Sequence, residues 1–232
     1  MILRKWEDLP DFMRVEEVRP YWEVLAKKKN QLLIKRIVDF MLAVILLILL
    51  AIPMLAIAIL IKLDSPGNIF FRQERVTIYG RRFRIHKFRT MVNNAEKIGA
   101  EVTVSNDSRI TRVGAKLRTT RLDELPQLFD VICGNMSFVG TRPETVKYVM
   151  KYIPEYNATL LMRAGITSEA SIRYKDEARL LDEAEDVDRV YVEKILPAKM
   201  SWNLHSLKSF RLLGDICTML RTVFAVMGKE YN

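Results

Sequence analysis

Residues 35–62 read KRIVDFMLAVILLILLAIPMLAIAILIK, and from Phe40 to Ile61 no residue carries a charge. A helix needs only about 20 apolar residues to cross the hydrocarbon of a bilayer, so these 22 are enough. Pro53 interrupts them: it donates no backbone hydrogen bond and crowds the preceding turn, so the helix is expected to kink or break there. Cations flank both ends. Lys27, Lys28, Lys29, Lys35 and Arg36 precede the segment, and Lys62, Arg72, Arg75 and Arg81 follow it. Cations near the ends of a membrane helix favour the cytoplasmic side, and matched ends suggest that both face the cytoplasm. A re-entrant helix turning at Pro53 satisfies that symmetry; a plain spanning anchor remains the alternative. Asp39, at the mouth of the apolar run, needs a cationic partner, and Lys35 and Arg36 stand four and three residues earlier.

The rest of the chain bounds what such a segment can serve. Its 232 residues suit one domain or slightly more. With half of them hydrophobic and 28% charged, a disordered chain, a collagen-like chain and a bundle of spans are all excluded. The net charge of +9 favours anionic partners. Cys133 and Cys217, with His86 and His205, form neither a disulfide framework nor a zinc spacing, which points to a reducing, cytoplasmic setting. Residues 1–30 mix Trp6, Phe12, Tyr21 and Trp22 with charges of both signs and do not fit a signal peptide. They read as a short amphipathic or loosely ordered leader.

Beyond the turn Asp64-Ser65-Pro66-Gly67-Asn68, the segments 69–73 and 83–88 predict a small hairpin. Seven basic residues stand against one acid from Arg72 to Arg89, and five against none from Arg109 to Arg121. These clusters suit phosphates, although solvated basic faces have the same composition. Leu122, Leu125, Leu128, Phe129 and Ile132 predict one amphipathic helix over Asp123 to Ile132, with Pro126 in its first turn. Asp123 and Glu124 then lie at its N-terminus, as ordinary acidic caps or as a dyad beside Arg118 and Arg121. Residues 137–143 predict a strand or loop opening into a helix at Glu144. Arg142 there is a candidate phosphate ligand or a surface arginine at a turn. Seven acids from Asp176 to Asp188 suggest a solvated helix face. From Trp202 to Met227 the apolar spacing predicts one long helix, in the core or in a membrane interface.

Taken in order, the collar Lys35-Arg36-Ile37-Val38-Asp39, then Phe71-Arg72-Gln73-Glu74-Arg75, Lys87-Phe88-Arg89-Thr90-Met91, Leu117 to Gln127 (LRTTRLDELPQ) and Met136 to Pro143 (MSFVGTRP) resemble the bacterial sugar transferases. These are the monotopic polyprenyl-phosphate phosphoglycosyl transferases, and the likeness covers about residues 31–230. The resemblance implies a mostly helical α+β fold: a leader (1–30), a re-entrant membrane helix (31–63), and a small cytoplasmic catalytic domain (64–232) with a short hairpin and interfacial amphipathic helices. It implies transfer of a phosphosugar from a UDP-sugar to undecaprenyl phosphate at the cytoplasmic face of the inner membrane, early in cell-surface glycan assembly. Asp123 would be the nucleophile, with UMP the leaving group. Glu124 would handle a proton or share Mg²⁺ with Asp123, and Lys87, Arg89, Arg118, Arg142 and Arg163 would bind substrate. Membrane lipids and a second copy of the chain are further implied partners; nucleic acid is not. The chain departs from the family pattern at Pro53, where the family often has Ser-Pro, and at Asn135, Thr141, Ala164, Ser168 and Glu169, so the sugar is not legible. The rival reading is a non-catalytic membrane-anchored module that binds anionic lipid or nucleic acid through the basic clusters.

Overall fold

The computed structural model describes residues 3–93, 95, 107–174 and 186–226. The apolar run forms two helices, α2 (Lys29–Leu49) after a short α1 (Arg19–Ala26), and α3 (Ala51–Asp64). They are bent by 63°. The break falls at Leu50, three residues before Pro53. That offset follows from proline geometry: Pro53 cannot donate to the carbonyl of Leu49, and its ring crowds that same carbonyl. Placed in the first turn of α3, the missing N–H costs nothing. No single helix among the described residues is long and apolar enough to cross a membrane, whereas the bent pair passes that test together.

One stripe of the pair faces the protein. Lys35, Asp39 and Ala43 in α2 and Met54, Ile57 and Ile61 in α3 are buried at three- and four-residue intervals. The opposite face is apolar and bare, with Ile48, Leu49, Ile52, Leu55 and Leu63 each more than 60% exposed. A continuous apolar surface of this kind marks a face made for lipid or a partner.

The body holds two small sheets. Strands β1 (Phe70–Val76) and β2 (Arg82–Phe88) form the antiparallel hairpin, pairing Phe70 with Phe88 and Val76 with Arg82. Strands β3 (Met136–Val139) and β4 (Ala164–Thr167) pair in parallel. Past β3 the two chains run almost in contact, and a Cβ on Gly165 would lie 2.2 Å from the nitrogen of Gly140, so both positions require glycine. Helices α4 (Arg112–Thr119) and α5 (Gln127–Ile132) lie between the sheets in sequence. The Thr111 hydroxyl caps α4 by accepting from Gly114, and Asp64 at the end of α3 accepts from Val113. The inner face of α3 packs on Phe88 and Leu117, tying the bent pair to β2 and α4.

Several expectations change in detail. Asp123 to Ile132 is not one helix: a 3-10 turn (Leu122–Glu124) precedes α5, because Arg121 adopts a left-handed conformation (φ 57°) and Pro126 then starts a new helix. The helix expected at Glu144 begins at Val146 as the four-residue α6 (Val146–Val149). After α7 (Glu169–Arg173) and α8 (Val187–Val190), the stretch from Trp202 divides into α9 (Leu196–Lys208) and α10 (Leu212–Val226). Helix α9 is core. Helix α10 is inverted: Asp215, Thr218, Arg221 and Thr222 meet the protein, whereas Leu213, Ile216, Leu220, Val223 and Phe224 face outward. That orientation matches a membrane-interface helix. Most of the acidic run from Asp176 lies outside the described residues; Asp186 caps α8, and Asp188 accepts from Tyr148 at 2.5 Å.

The leader is not loose. Leu9, Met13, Val18, Tyr21 and Leu25 are almost wholly buried against Tyr79, Leu161, Leu204 and Phe210. Tyr21 donates to Glu155 at 2.6 Å, and Trp22 to the carbonyl of Arg4 at 2.9 Å. Its mixture of aromatic and charged residues hid a strap whose apolar side, mostly aliphatic with Tyr21, packs inward.

Candidate active site

Four elements converge on the 3-10 turn. Strand β2 supplies Lys87, the last turn of α4 supplies Arg118, the 3-10 turn itself carries Asp123 and Glu124, and the loop after β3 supplies Arg142. The left-handed Arg121 is the hinge of this arrangement. A non-glycine residue there is uncommon and strained, and it reverses the chain so that both carboxylates turn inward, Asp123 at 7% and Glu124 at 8% exposure.

The two acids differ in environment. Glu124 is pinned: Lys87 donates to Oε1 at 3.0 Å, and Arg142 reaches Oε1 at 2.5 Å and Oε2 at 3.3 Å. Burial pushes its carboxyl up, but the Arg142 and Lys87 charges outweigh burial and hold it well below the usual range. Asp123 makes no hydrogen bond among the described residues, although the charges of Lys87, Arg142 and Arg118 act on it. Burial raises its carboxyl, the nearby cations lower it, and Glu124 raises it again, with a net upward shift. Two neighbouring carboxylates with oppositely displaced affinities are a usual arrangement for divided catalytic roles. Burial lowers the affinity of the Lys87 ammonium for its proton, opposed chiefly by Glu124.

The structure gathers Lys87, Arg118, Arg142, Asp123 and Glu124 into this cluster and sets Arg89 and Arg163 to other work. Arg89 donates to the carbonyls of Pro66 and Ser65 at 2.7 and 2.6 Å, and so clamps the turn between α3 and the hairpin. Arg163 donates to the carbonyl of Gly134 at the far end of α5. The sequence reading did not single out Arg75, which donates to the carbonyl of Pro143 at 3.1 Å and steadies the loop bearing Arg142. Nor did it find the buried set Glu144, Tyr191 and Lys199, in which Tyr191 donates to Glu144 at 2.7 Å and Lys199 to Tyr191 at 3.1 Å. Arg75 stands in the quoted Phe71 to Arg75 motif, a signal that was present; the other set joins residues 47 and 8 positions apart and left none.

Among the described residues no three His, Cys, Asp or Glu side chains cluster. Mg²⁺ needs only one or two carboxylates when substrate phosphates complete its shell. Asp123, unengaged by hydrogen bonds, fits that demand. Glu124 in this arrangement spends both oxygens on cations.

A buried carboxylate pair among cations, beside a bent helix pair with an exposed apolar face, is the arrangement the fold presents. The chain belongs to the bacterial sugar transferase family, whose model matches residues 30–229. It is 38% identical over 197 residues to the UDP-N-acetylgalactosamine-undecaprenyl-phosphate N-acetylgalactosaminephosphotransferase of Aeromonas hydrophila, covering 84% of this chain and 44% of the relative. It is 34% identical over 221 residues to the UDP-glucose:undecaprenyl-phosphate glucose-1-phosphate transferase of Escherichia coli strain K12, covering 91% and 45%. The Caulobacter vibrioides protein of the same name is 36% identical over 201 residues, covering 84% and 70%. The chain thus spans under half the length of the first two relatives.

Proposed function

We propose that this protein transfers a sugar 1-phosphate from a UDP-sugar to undecaprenyl phosphate, through a covalent intermediate on Asp123. The observation that carries the proposal is the asymmetry of the dyad: Glu124 is locked by two cations while Asp123 is left unbonded beside it. An upward-shifted carboxylate is the more basic of the pair, and a group without hydrogen bonds sheds nothing on attack.

In the first step an Asp123 oxygen attacks the sugar-linked phosphorus. The bond from that phosphorus to the bridging oxygen breaks, UMP leaves with the electron pair, and the phosphosugar remains as an acyl phosphate. In the second step an oxygen of the lipid phosphate attacks the same phosphorus and returns Asp123 as a carboxylate. Lys87, Arg118 and Arg142 offset the charge of a carboxylate meeting a pyrophosphate. Glu124 orients Lys87 and Arg142 and keeps them from collapsing onto the nucleophile. Mg²⁺ bound at Asp123 and the substrate phosphates would add Lewis-acid neutralisation of the leaving group. The two steps suit a water-soluble donor and a membrane-bound acceptor. We place α2 and α3 in the cytoplasmic leaflet as a re-entrant pair, with the body on the cytoplasmic face; the bend and the outward apolar face of α10 support this.

The test is UMP release from a panel of UDP-sugars with undecaprenyl phosphate and Mg²⁺, alongside intact-mass detection of a phosphosugar adduct. Asp123→Asn should abolish both. Release that survives the substitution removes the nucleophile, and no release across the panel favours the non-catalytic module.

A further inference from the structure

A second cluster of cations stands at the opposite end of α5 from the dyad, and the proposed reaction does not use it. Arg36 donates to the carbonyls of Val131 and Ile132 at 2.7 and 3.0 Å, Arg81 to that of Gly134 at 3.1 Å, and Arg163 through Nε to Gly134 at 3.0 Å. Capping the C-terminus of α5 accounts for these bonds. It does not account for the rest of Arg163, whose two terminal nitrogens have no partner among the described residues. They border a small open cleft lined also by Leu3, Lys35, Arg36, Asp39, Tyr79 and Ser137.

Three features make this cleft an anion receptor. Its charge is unbalanced toward the positive: Asp39 and Asp215 share Lys35, at 3.6 and 2.7 Å, and the charge of Asp39 also reaches Arg163, but Arg36, Arg81 and Arg163 together outnumber these acids, and their hydrogen bonds go to carbonyl and amide oxygens. It holds unspent donors: besides Arg163, the Tyr79 hydroxyl accepts from the Arg4 amide at 2.9 Å, while its own proton has no acceptor among the described residues. And it is built under strain. Tyr79 has φ 58°, a left-handed conformation that a bulky aromatic residue rarely adopts, and the leader holds it there, with the Arg4 guanidinium 4.5 Å from the ring centre.

Depth identifies the occupant. Lys35 and Arg36 precede the first residue of the apolar run by five and four positions, roughly 6–8 Å along the helix. That is the thickness of a headgroup layer outside the hydrocarbon. On the same turns Ile34, Ile37 and Val38 are exposed toward the apolar side. The six residues of α5 hold the cleft about 9 Å or more from the turn that carries Asp123, so this is not the dyad's own phosphate pocket.

We propose that this cleft, walled by the N-terminal leader, α2 and the start of β4, binds the phosphate of a membrane phospholipid headgroup and fixes the height of the protein in the leaflet. The proposal rests on the membrane placement of α2 and α3, and not on the chemistry at Asp123. The leader lies before residues 30–229, which match the family model, whereas Lys35, Arg36 and Arg163 lie within them.

The experiment is native mass spectrometry of the full chain in dodecyl maltoside, a phosphate-free detergent, titrated with phosphatidylglycerol or with inorganic phosphate. One retained phosphatidylglycerol per chain is expected. Arg163→Gln should weaken retention about tenfold, the worth of a lost bidentate phosphate contact. Tyr79→Phe, which keeps the ring and the strain, should weaken it by about threefold. Melting temperatures in lipid-free detergent show that both variants fold. Displacement by equimolar inorganic phosphate assigns the same site to soluble phosphate and overturns the lipid assignment. No retained lipid, or retention indifferent to both substitutions, overturns the site itself. UMP release is read separately: a chain that keeps its lipid through Arg163 but releases no UMP retains this site and loses the transferase reading.

Discussion

Neutralising the two acids of the dyad one at a time should lower activity both times but lower stability only at Glu124. Glu124 is the hub of two ion pairs, at 3.0 Å to Lys87 and 2.5 Å to Arg142, and it is 8% exposed. Glu124→Gln keeps the shape and strands both cations. Breaking a buried pair by removing one partner costs about 3–5 kcal/mol. Arg142 keeps 30% of its side chain exposed and recovers some hydration, so the lower end, about 3 kcal/mol, is expected. For a chain of this size that lowers Tm by roughly 6–12 °C. Asp123→Asn acts the other way. The folded protein raises the Asp123 carboxyl above its unfolded value, so at neutral pH folding must hold an ionised group that its surroundings disfavour. Removing that charge, and its repulsion of Glu124, should leave Tm unchanged or raise it, by up to about 2 kcal/mol of stability. The assay pairs thermal unfolding in detergent at pH 7.5 with UMP release. Asp123→Asn should be inactive at a Tm no lower than the parent's. An Asp123→Asn variant that melts well below the parent, with Glu124→Gln unchanged, would refute the division of labour between the two acids.

Other consequences test the scaffold. Gly114→Ala should destabilise although alanine favours helix by about 1 kcal/mol, because the new Cβ would sit 2.0 Å from the carbonyl oxygen of Thr90; a loss of about 2 kcal/mol net is expected in urea or thermal unfolding. Lys35→Met leaves Asp39 and Asp215 facing each other without their shared cation, and should cost about 3–5 kcal/mol, read as a loss of folded protein on size exclusion and a lowered Tm. For topology, Cys133 and Cys217 are both exposed and must first be replaced. In that background, Lys28→Cys and Asn68→Cys should both be shielded from a thiol reagent added outside the inner membrane, and labelling of either one restores the spanning anchor.

Which features were legible in the sequence depended on the range of the interactions that make them. The hairpin was legible because its aromatic and branched residues and Gly80 are local signals, and the strands proved only a few residues longer than read. The bend was legible through Pro53, although its position at Leu50 needed the steric argument about the preceding carbonyl. The dyad and its neighbours Lys87, Arg118 and Arg142 came from motifs, and four separate elements bring them together. What stayed hidden was tertiary. Arg89 and Arg163 have the same chemistry as Arg142, and nothing in the chain says that Arg89 turns to the carbonyls of Ser65 and Pro66 or that Arg163 caps α5 through Nε. Asp215 lies 180 residues from the lysine it binds. The leader's aromatic residues read as a mixed surface because the matching apolar patch, including Leu161, Leu204 and Phe210, is assembled from distant segments. The split between α9 and α10 escaped because both halves keep helical spacing; only their opposite orientations to the core separate them.

The collar and the dyad are parts of one mechanical unit. Asp39 accepts from Ser137 of β3 at 2.7 Å, and Lys35 joins it to Asp215 of α10, so the top of α2 is bolted to the strand that leads into the Arg142 loop. At the other end of the bent pair, Met54, Ile57 and Ile61 pack on Phe88 and Leu117, the neighbours in sequence of Lys87 and Arg118. Each arm of the bend therefore holds one side of the site: α2 fixes the loop with Arg142, and α3 fixes the cations that flank Asp123. Straightening the pair would draw these two sides apart and release Glu124 from Arg142. On the proposed reading the re-entrant shape is thus a requirement of the chemistry as well as an anchor. A variant that loses the bend, such as Pro53→Leu, should lose UMP release even where it still inserts in the bilayer, whereas activity retained in a demonstrably spanning variant would separate the two.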